Sequence, residues 1–315
     1  MDRWTHLVGQ DLPTPDMRGL QTVWDTPVIT YLQTILQQSI TNPIIKARYL
    51  AAFFIESGAW LALPSPSRGL HLSNECFRIS AALRLGTAVC EPDSCCKCGA
   101  PVDQLRLHGL SCIRSAGRHI LHSSINDVIL RSLISAEVPS IREPSGCCRS
   151  DGKRPDGMTL ILWKRDTFPL SNLPFSSKLA GGAATRRETG KRRKYSELMN
   201  NFIFIPVTIE TSGTWGIEGL NFIKEIGQRI SRVSKNSKST SFLIQRISIT
   251  LQRGNVASTL GHYLAGWSWR RYFIFKFQSK KTFFFVLGQS WRPQQRSKER
   301  DTSNNFTAKR SAEYI

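Results

Sequence analysis

The chain has 315 residues, enough for one large domain or two modest ones, so length does not prevent a buried core. Its apolar share of 40% is slightly low for a globular protein, and its net charge of +20 is far from the few units expected of a neutral soluble domain. Such a charge favours a polyanionic partner, most simply DNA or RNA, because Lys and Arg release condensed counterions when they neutralise phosphates, although a solvated basic surface carries the same composition.

Two further classes are disfavoured at once. The start, MDRWTHLVGQDLPTPD, has no basic stretch followed by an apolar run, so no signal peptide is expected. The best apolar window, YLAAFFIESGAWLALP at 49–64, contains Glu56 and falls short of the roughly 20 residues a membrane helix needs.

In chain order, residues 1–27 are polar and turn-rich and are expected to be poorly structured. A helical segment over 28–89 follows. Its first pattern starts at Asp25-Thr26-Pro27 and runs through Leu32, Ile35 and Leu36. Pro43 then suits a first helical turn, and the run from Ile44 to about Leu63 reads as one largely buried helix. Ser73 ahead of Asn74-Glu75-Cys76 starts another helix, which Gly86 stops.

After a cysteine-rich loop, Ile120, Ile125, Val128, Ile129 and Leu133 form the apolar stripe of a helix over about 117–136. Arg114, Arg118, His119, His122 and Arg131 give that helix a partly basic polar surface. VPSIREP is a short strand candidate, and MTLILW at 158–163 a buried one. Residues 180–199 read as a basic helix. FIFIPVTIE is a strand whose proline puts it near an edge or interrupts it. Helices follow at about 217–231 and 240–252. Beyond Gly261, Lys and Arg far outnumber Asp and Glu, and aromatic clumps follow no clear period, so 262–315 is expected to be a basic aromatic tail without a stable fold.

Five of the eight cysteines fall between Cys90 and Cys112. Clustering of this kind belongs to a metal site rather than to a disulfide framework. Cys95-x2-Cys98 and His108-x3-Cys112 offer four soft or borderline ligands in one loop, the set that a structural zinc ion takes tetrahedrally, and Gly99 suits the tight turn after the second cysteine. Cys90 and Cys96 are spare ligands, and Cys96-x-Cys98 is an alternative pair. A closed four-ligand site leaves no position for water, so it would organise the chain rather than cleave anything.

Metal-dependent phosphodiester cleavage needs an acid at a strand start, a second acid on the adjacent strand and a nearby lysine. Asp156, between Pro155 and Gly157, stands where a first acid belongs, and Glu143 before the preceding turn is a further carboxylate that approaches it in sequence. No second acidic strand follows. KRDTFPLSNLPFSSK after Trp163 has two prolines and no alternation, and its Asp166 sits in a loop pattern.

ARYLAAFFIESGAWLALP at 47–64, CKCGAPVD at 96–103, LHGLSC at 107–112, GRHILHSSIND at 117–127, DGKRPDGMTLILW at 151–163, AGGAATRRETGKRRKYSEL at 180–198 and FIFIPVTIETSGTWG at 202–216 occur in that order. Together they resemble the region downstream of the reverse transcriptase domain in non-LTR retrotransposon polyproteins, where a Cys/His knuckle precedes a restriction-endonuclease-like PD-(D/E)xK domain. The resemblance covers roughly 30–261. It implies that Asp156 matches the first acid, that Lys191, Lys194 and Tyr195 match a basic "K..KY" helix beside the active site, and that Glu210 matches a recurrent glutamate. It also implies that the Cys/His positions form the knuckle. Relatives of this kind carry a second strand reading "WDxT", which nothing here matches. Asp166-Thr167 resembles the "DT" after that strand, so a strand's worth of residues before Asp166 is missing.

The resulting expectation is an α/β chain with a helical segment, a Cys/His knuckle at 90–116 and an incomplete PD-(D/E)xK endonuclease-like core at 117–261. Its implied function is that of a degenerate retrotransposon fragment, inactive as a nuclease, with weak and salt-sensitive binding to DNA or RNA. A zinc-stabilised nucleic-acid-binding or protein-interaction module is the alternative, and a residual Mg-dependent nicking enzyme a third. Zinc is the expected structural ion, and Mg is implied only by residual nicking. No polymerase signature such as a YxDD-like turn is present, and the Lys/Arg runs can be read as import signals that suit a nuclear parent.

Overall fold

The computed structural model describes residues 2–95, 98–145, 147–148, 151–152, 154–162, 182–200, 202–261 and 283–288. Asp166, Thr167 and the rest of 163–181, together with 262–282 and 289–315, lie outside the described residues.

Residues 2–27, expected to be poorly structured, begin with helix α1 (Asp2–Val8), and α2 (Gln21–Ser39) starts ahead of Asp25. Two tryptophans hold this corner. The rings of Trp4 and Trp24 meet edge to face at 5.4 Å, and Trp4 Nε1 donates to the Trp24 carbonyl at 3.1 Å. Asn42 caps α3 (Pro43–Phe53) by accepting from the amides of Ile44 and Ile45 at 2.9 and 3.2 Å.

Helix α3 does not run on to Leu63 as the apolar pattern suggested. Phe54 turns extended, a 3-10 helix covers Ile55–Leu61, and in α3 only Ala51 is buried. Ser57 and Gly58 lie within the 3-10 helix. The next helix, α4 (Asn74–Leu85), has the expected ends, with Ser73 Oγ accepting from the Cys76 amide and Gly86 at φ 76° closing it.

A two-residue hairpin, β1 (Asp93–Ser94) with β2 (Pro101–Val102), leads into the short helix α5 (Leu107–Ser111) and then the long helix α6 (Ala116–Ser135). Strands β3 (Ser140–Arg142) and β4 (Gly157–Leu162) pair antiparallel. Helix α7 (Gly182–Lys194), strand β5 (Phe202–Val207), helix α8 (Ile217–Ser234) and helix α9 (Ser239–Leu260) follow.

The last strand comes from the tail. Phe283–Gly288, here β6, lies between β4 and β5, parallel to the first and antiparallel to the second, so the sheet order is β3-β4-β6-β5. The sequence reading placed no element there. FFFVLG is too uniformly apolar to show a strand period, and a strand inside a sheet can read as one continuous apolar run. Nor are the ladders of β4 and β5 left open, as loss of a strand after Trp163 would have left them. Pro206 falls in the edge strand β5, where a missing amide costs little.

Side chains of β5 alternate between two layers. Ile203, Ile205 and Val207 join the main core with Ile125, Ile129 and Leu133 of α6, Ile223 and Ile226 of α8 and Ile247 of α9. Phe202 and Phe204 face the other way, toward Tyr195 and Leu198, where Met158 of β4 joins them. Strand β4 is less buried than its composition suggested, since Leu160 and Ile161 are exposed.

Helix α9 ties the parts together. Its Ile249 and Val256 form a second core with Trp60, Leu70, Leu72, Cys76 and Ile79, so the N-terminal helical segment packs on the same helix as the sheet-bearing region. Gln245 Nε2 donates to the carbonyls of Ala62 and Leu63, and Arg253 donates to that of His71 at 2.7 Å. Among the described residues no helix is long and apolar enough to cross a membrane.

Candidate metal centre

The loop after β1 is built to bring four side chains to one point. Cys95 ends the first strand and donates its amide to the Ala100 carbonyl at 2.8 Å. The chain then turns back tightly, with the amides of Cys98 and Gly99 both reaching the Cys95 carbonyl. Gly99 sits at φ 74°, a conformation glycine adopts without strain. Asp103 Oδ1 accepts from the Leu107 amide at 3.1 Å, which starts α5. His108 and Cys112 are four apart at this turn and so share a face.

Cys95, Cys98, His108 and Cys112 place one ligand atom each within 4.8 Å of one another. Cys98 Sγ lies 3.1 Å from His108 Nε2 and 3.9 Å from Cys112 Sγ. Cys95 and Cys112 are buried, whereas Cys98 is exposed. Three thiols and an imidazole that converge in this way can hold a metal ion. The four residues are those expected from the spacing. Cys96 lies outside the described residues, and Cys90 directs its thiol toward the carbonyls of Asp103 and Gln104 instead.

The centre is fastened to the rest of the molecule by close backbone approaches. A Cβ on Gly109 of α5 would come within 2.6 Å of the Ser258 carbonyl oxygen, and one on Gly117 within 2.8 Å of the Ser258 amide nitrogen. Glycine at both positions lets α5 and the start of α6 lie directly on α9.

Compared with protein-family models, curated protein sequences and solved structures, the chain matches none. What it can do must therefore be argued from its own geometry.

The residues expected at a nuclease centre are distributed as follows. In the ladder Gly157 pairs with Phe285 and Phe285 with Ile205, so the start of β4 and the exit of β5 lie at the same end of the sheet, two strand spacings apart. Asp156 and Glu210 therefore share that end, but each is engaged separately. Asp156 Oδ1 is 3.3 Å from His122 Nε2, and both side chains are largely buried. His122 Nδ1 lies 3.3 Å from Asn126 Nδ2 on the next turn of α6. His122 thus faces inward, not onto the basic helix surface where the sequence reading put it.

Glu210 Oε1 accepts from the Ala184 amide at 3.0 Å, and Oε2 from Ser212 Oγ at 3.3 Å. Tyr195 is 3% exposed and stacks on Phe204 at 5.0 Å, a packing role. Lys191 Nζ lies 5.9 Å from the Tyr195 ring centroid, and Lys194 is exposed at the end of α7. Glu143 holds a strained φ of 43°. Its amide donates to the Asp156 carbonyl, while its carboxylate is 3.9 Å from Arg154. Among the described residues, the Cys/His cluster is the one group of three or more such ligands able to hold a metal. The strand between Asp156 and Glu210, Phe283–Gly288, contains no carboxylate.

Sequence reading missed Glu188. It is 1% exposed, and its carboxylate accepts from the amides of Glu218 and Gly219 at 3.2 and 3.0 Å, capping α8 from another helix. Burial pushes its pKa up to about 7 against the pull of these two hydrogen bonds. A Cβ on Gly216 would meet Glu188 Oε1 at 2.1 Å, so glycine is required there. One turn on, Arg192 clamps Glu218 with two nitrogens, Nε at 2.7 Å and Nη2 in closer contact. The signal was a single acid inside a basic helix, Arg187-Glu188, among four arginines and two lysines of the same segment.

Proposed function

We propose that this chain is a zinc-organised nucleic-acid-binding module, derived from the knuckle and endonuclease-like region of a non-LTR retrotransposon polyprotein and no longer able to cleave. The observation that carries the reading is the convergence of Cys95, Cys98, His108 and Cys112. Tetrahedral thiolate arms of about 2.3 Å set ligand atoms roughly 3.8 Å apart, and the two sulfurs of Cys98 and Cys112 are 3.9 Å apart. A sulfur-rich set of this size suits zinc rather than Mg, which takes oxygen ligands.

For binding, α7 offers Arg186, Arg187, Arg193 and Lys194 exposed on one short helix, while Arg192 is taken by Glu218. Loss of cleavage is supported by the engagement of Asp156 with His122 and by the acid-free strand beside it.

Titration of a labelled 20-mer DNA or RNA at a series of salt concentrations tests the reading. Four phosphate contacts give a slope of log affinity on log salt of roughly −3 to −4. A flat salt response, with salt-insensitive binding to a protein instead, would favour the interaction-module alternative. Metal analysis of the purified chain should find one zinc per molecule.

A further inference from the structure

A cavity of about 280 Å³ opens between α3, α4, α5, α9 and the loop after β5. Its walls are mixed. Ala51, Ala52, Leu83 and Trp60 give it apolar faces, and Leu107 and Leu110 come from α5, the helix that carries His108. The charged lining is Arg48, Arg84 and Glu210, and Ser80, Thr211, Ser212, Gln252 and Asn255 add neutral polar groups.

Two of these groups point to an occupant. Ser80 is 1% exposed, and its Oγ is buried with no hydrogen-bond partner. A buried native hydroxyl normally has a hydrogen-bond partner, and this one lies in the cavity wall, where a bound group can supply it. Arg48 lays its guanidinium against Gly86, where a Cβ would come within 2.0 Å of Nη1, and among the described residues no carboxylate pairs with it. Arg84 is anchored by donating to the carbonyls of Ala52 and Ser57, the latter at 3.2 Å. Glu210 has used one lone pair on each oxygen, leaving acceptor capacity toward the cavity.

Two guanidinium groups and one carboxylate leave the lining with a net charge of one positive unit. A ligand that answers it carries one negative charge, flat apolar faces and an edge with both donors and acceptors. We infer that the cavity accepts one unpaired nucleotide, its base between the apolar walls with an amino edge toward Glu210 and its phosphate toward Arg48. This deepens the nucleic-acid reading and, for its strand-bound form, rests on it. The volume lies at the low end of ligand pockets, about 300–1,000 Å³, so a single unit is held rather than a run of bases. A paired base cannot enter without leaving its duplex, and the site therefore discriminates single from double strands.

The test uses the full metal-loaded chain with a labelled 12-nucleotide mixed-sequence DNA, the same sequence as a blunt duplex, and free CMP. Single strands should bind at least fivefold tighter than duplex. Arg48→Gln, at a half-exposed position, and Ser80→Val should remove that preference and leave duplex affinity within twofold. Arg187→Gln with Lys194→Gln should weaken both forms alike. Equal affinity for the two forms, or an Arg48→Gln effect shared by both, overturns the pocket while leaving surface binding intact. If neither DNA binds but CMP does, in an Arg48-dependent way, the nucleic-acid reading fails and the pocket stands as a free-nucleotide site. Absence of CMP binding together with absence of a strand preference removes the inference altogether.

Discussion

The metal cluster and the Asp156 end of the sheet both gather chemistry-bearing residues, but from very different amounts of chain. The cluster takes its four ligands from residues 95–112, one hairpin and the short helix after it. The nuclease-like centre expected from the sequence would draw Asp156, Lys191, Lys194, Tyr195 and Glu210 from the flanks of β4, α7 and β5. A site closed within one loop survives rearrangement elsewhere. A site assembled across a sheet depends on every strand between its members, and here that strand is Phe283–Gly288, with no acid to contribute. The residues expected at that centre are each engaged in the fold: Asp156 with His122, Tyr195 with Phe204, Glu210 with the amide of Ala184.

The largest expected effect tests the self-sufficient half. Cys112→Ser removes a buried ligand and should reduce bound metal from one equivalent to a small fraction, read by elemental analysis. Structural zinc binding in small knuckles is worth roughly 10–16 kcal/mol, so the hairpin and α5 should lose their order. Retained metal would mean that Cys90 or Cys96 can replace Cys112. Because α5 lies on α9 through Gly109, the loss should also lower the melting temperature of the whole chain.

Tyr195→Ala sharpens the other half. A catalytic tyrosine can be removed with little effect on stability, whereas one stacked on Phe204 in a closed cluster should cost about 3–5 kcal/mol in denaturant unfolding. A cost below roughly 1 kcal/mol would count against the packing role.

Glu188 gives an effect of similar size with a defined pH signature. Its carboxyl has a folded pKa of about 7 against an ordinary 4.5. The folded state therefore holds this proton more tightly than the unfolded chain. Stability from this group is full below the unfolded value and is lost as pH rises toward and through 7. Glu188→Gln keeps an acceptor for the amides of α8 without the charge. Relative to the parent it should gain about 3 kcal/mol above pH 7 and nothing near pH 4, measured by urea unfolding across that range. A pH-independent difference would show that the carboxylate is not penalised.

These outcomes follow what was and was not readable in the sequence. Local signals held: Ser73 and Gly86 bound α4, the stripe of Ile125, Ile129 and Leu133 is the core face of α6, and Pro206 marks an edge strand. The metal ligands were legible for the same reason, since their spacing alone determines who meets whom. The break at Phe54 was missed because an apolar run looks alike in α and 3-10 geometry. Strand β6 and the His122–Asp156 pair join segments far apart in the chain, and no periodicity within either segment records the partner.

Gly109→Ala probes the joint between the two regions at a smaller scale. The added Cβ has no room against the Ser258 carbonyl, 2.6 Å away, so α5 must lift from α9 at a cost of about 1–3 kcal/mol. Metal content should stay at one equivalent while thermal stability falls. Loss of both would show that α9, not the loop alone, shapes the cluster.

The smallest expected effect is the most decisive for cleavage. Asp156→Ala should leave plasmid nicking in Mg²⁺ or Mn²⁺ unchanged, at background in both proteins. Asp156 is engaged with an imidazole, and Glu210 at the same end is held by Ala184 and Ser212, so neither is disposed to hold a divalent ion and orient a phosphate for attack. Stability should still fall by about 1–3 kcal/mol, because the largely buried contact between His122 and Asp156 is lost. Nicking by the parent that disappears in the variant would reverse the comparison. It would make the sheet end, where Glu210 also lies, and not the Cys/His cluster, the working part of the molecule.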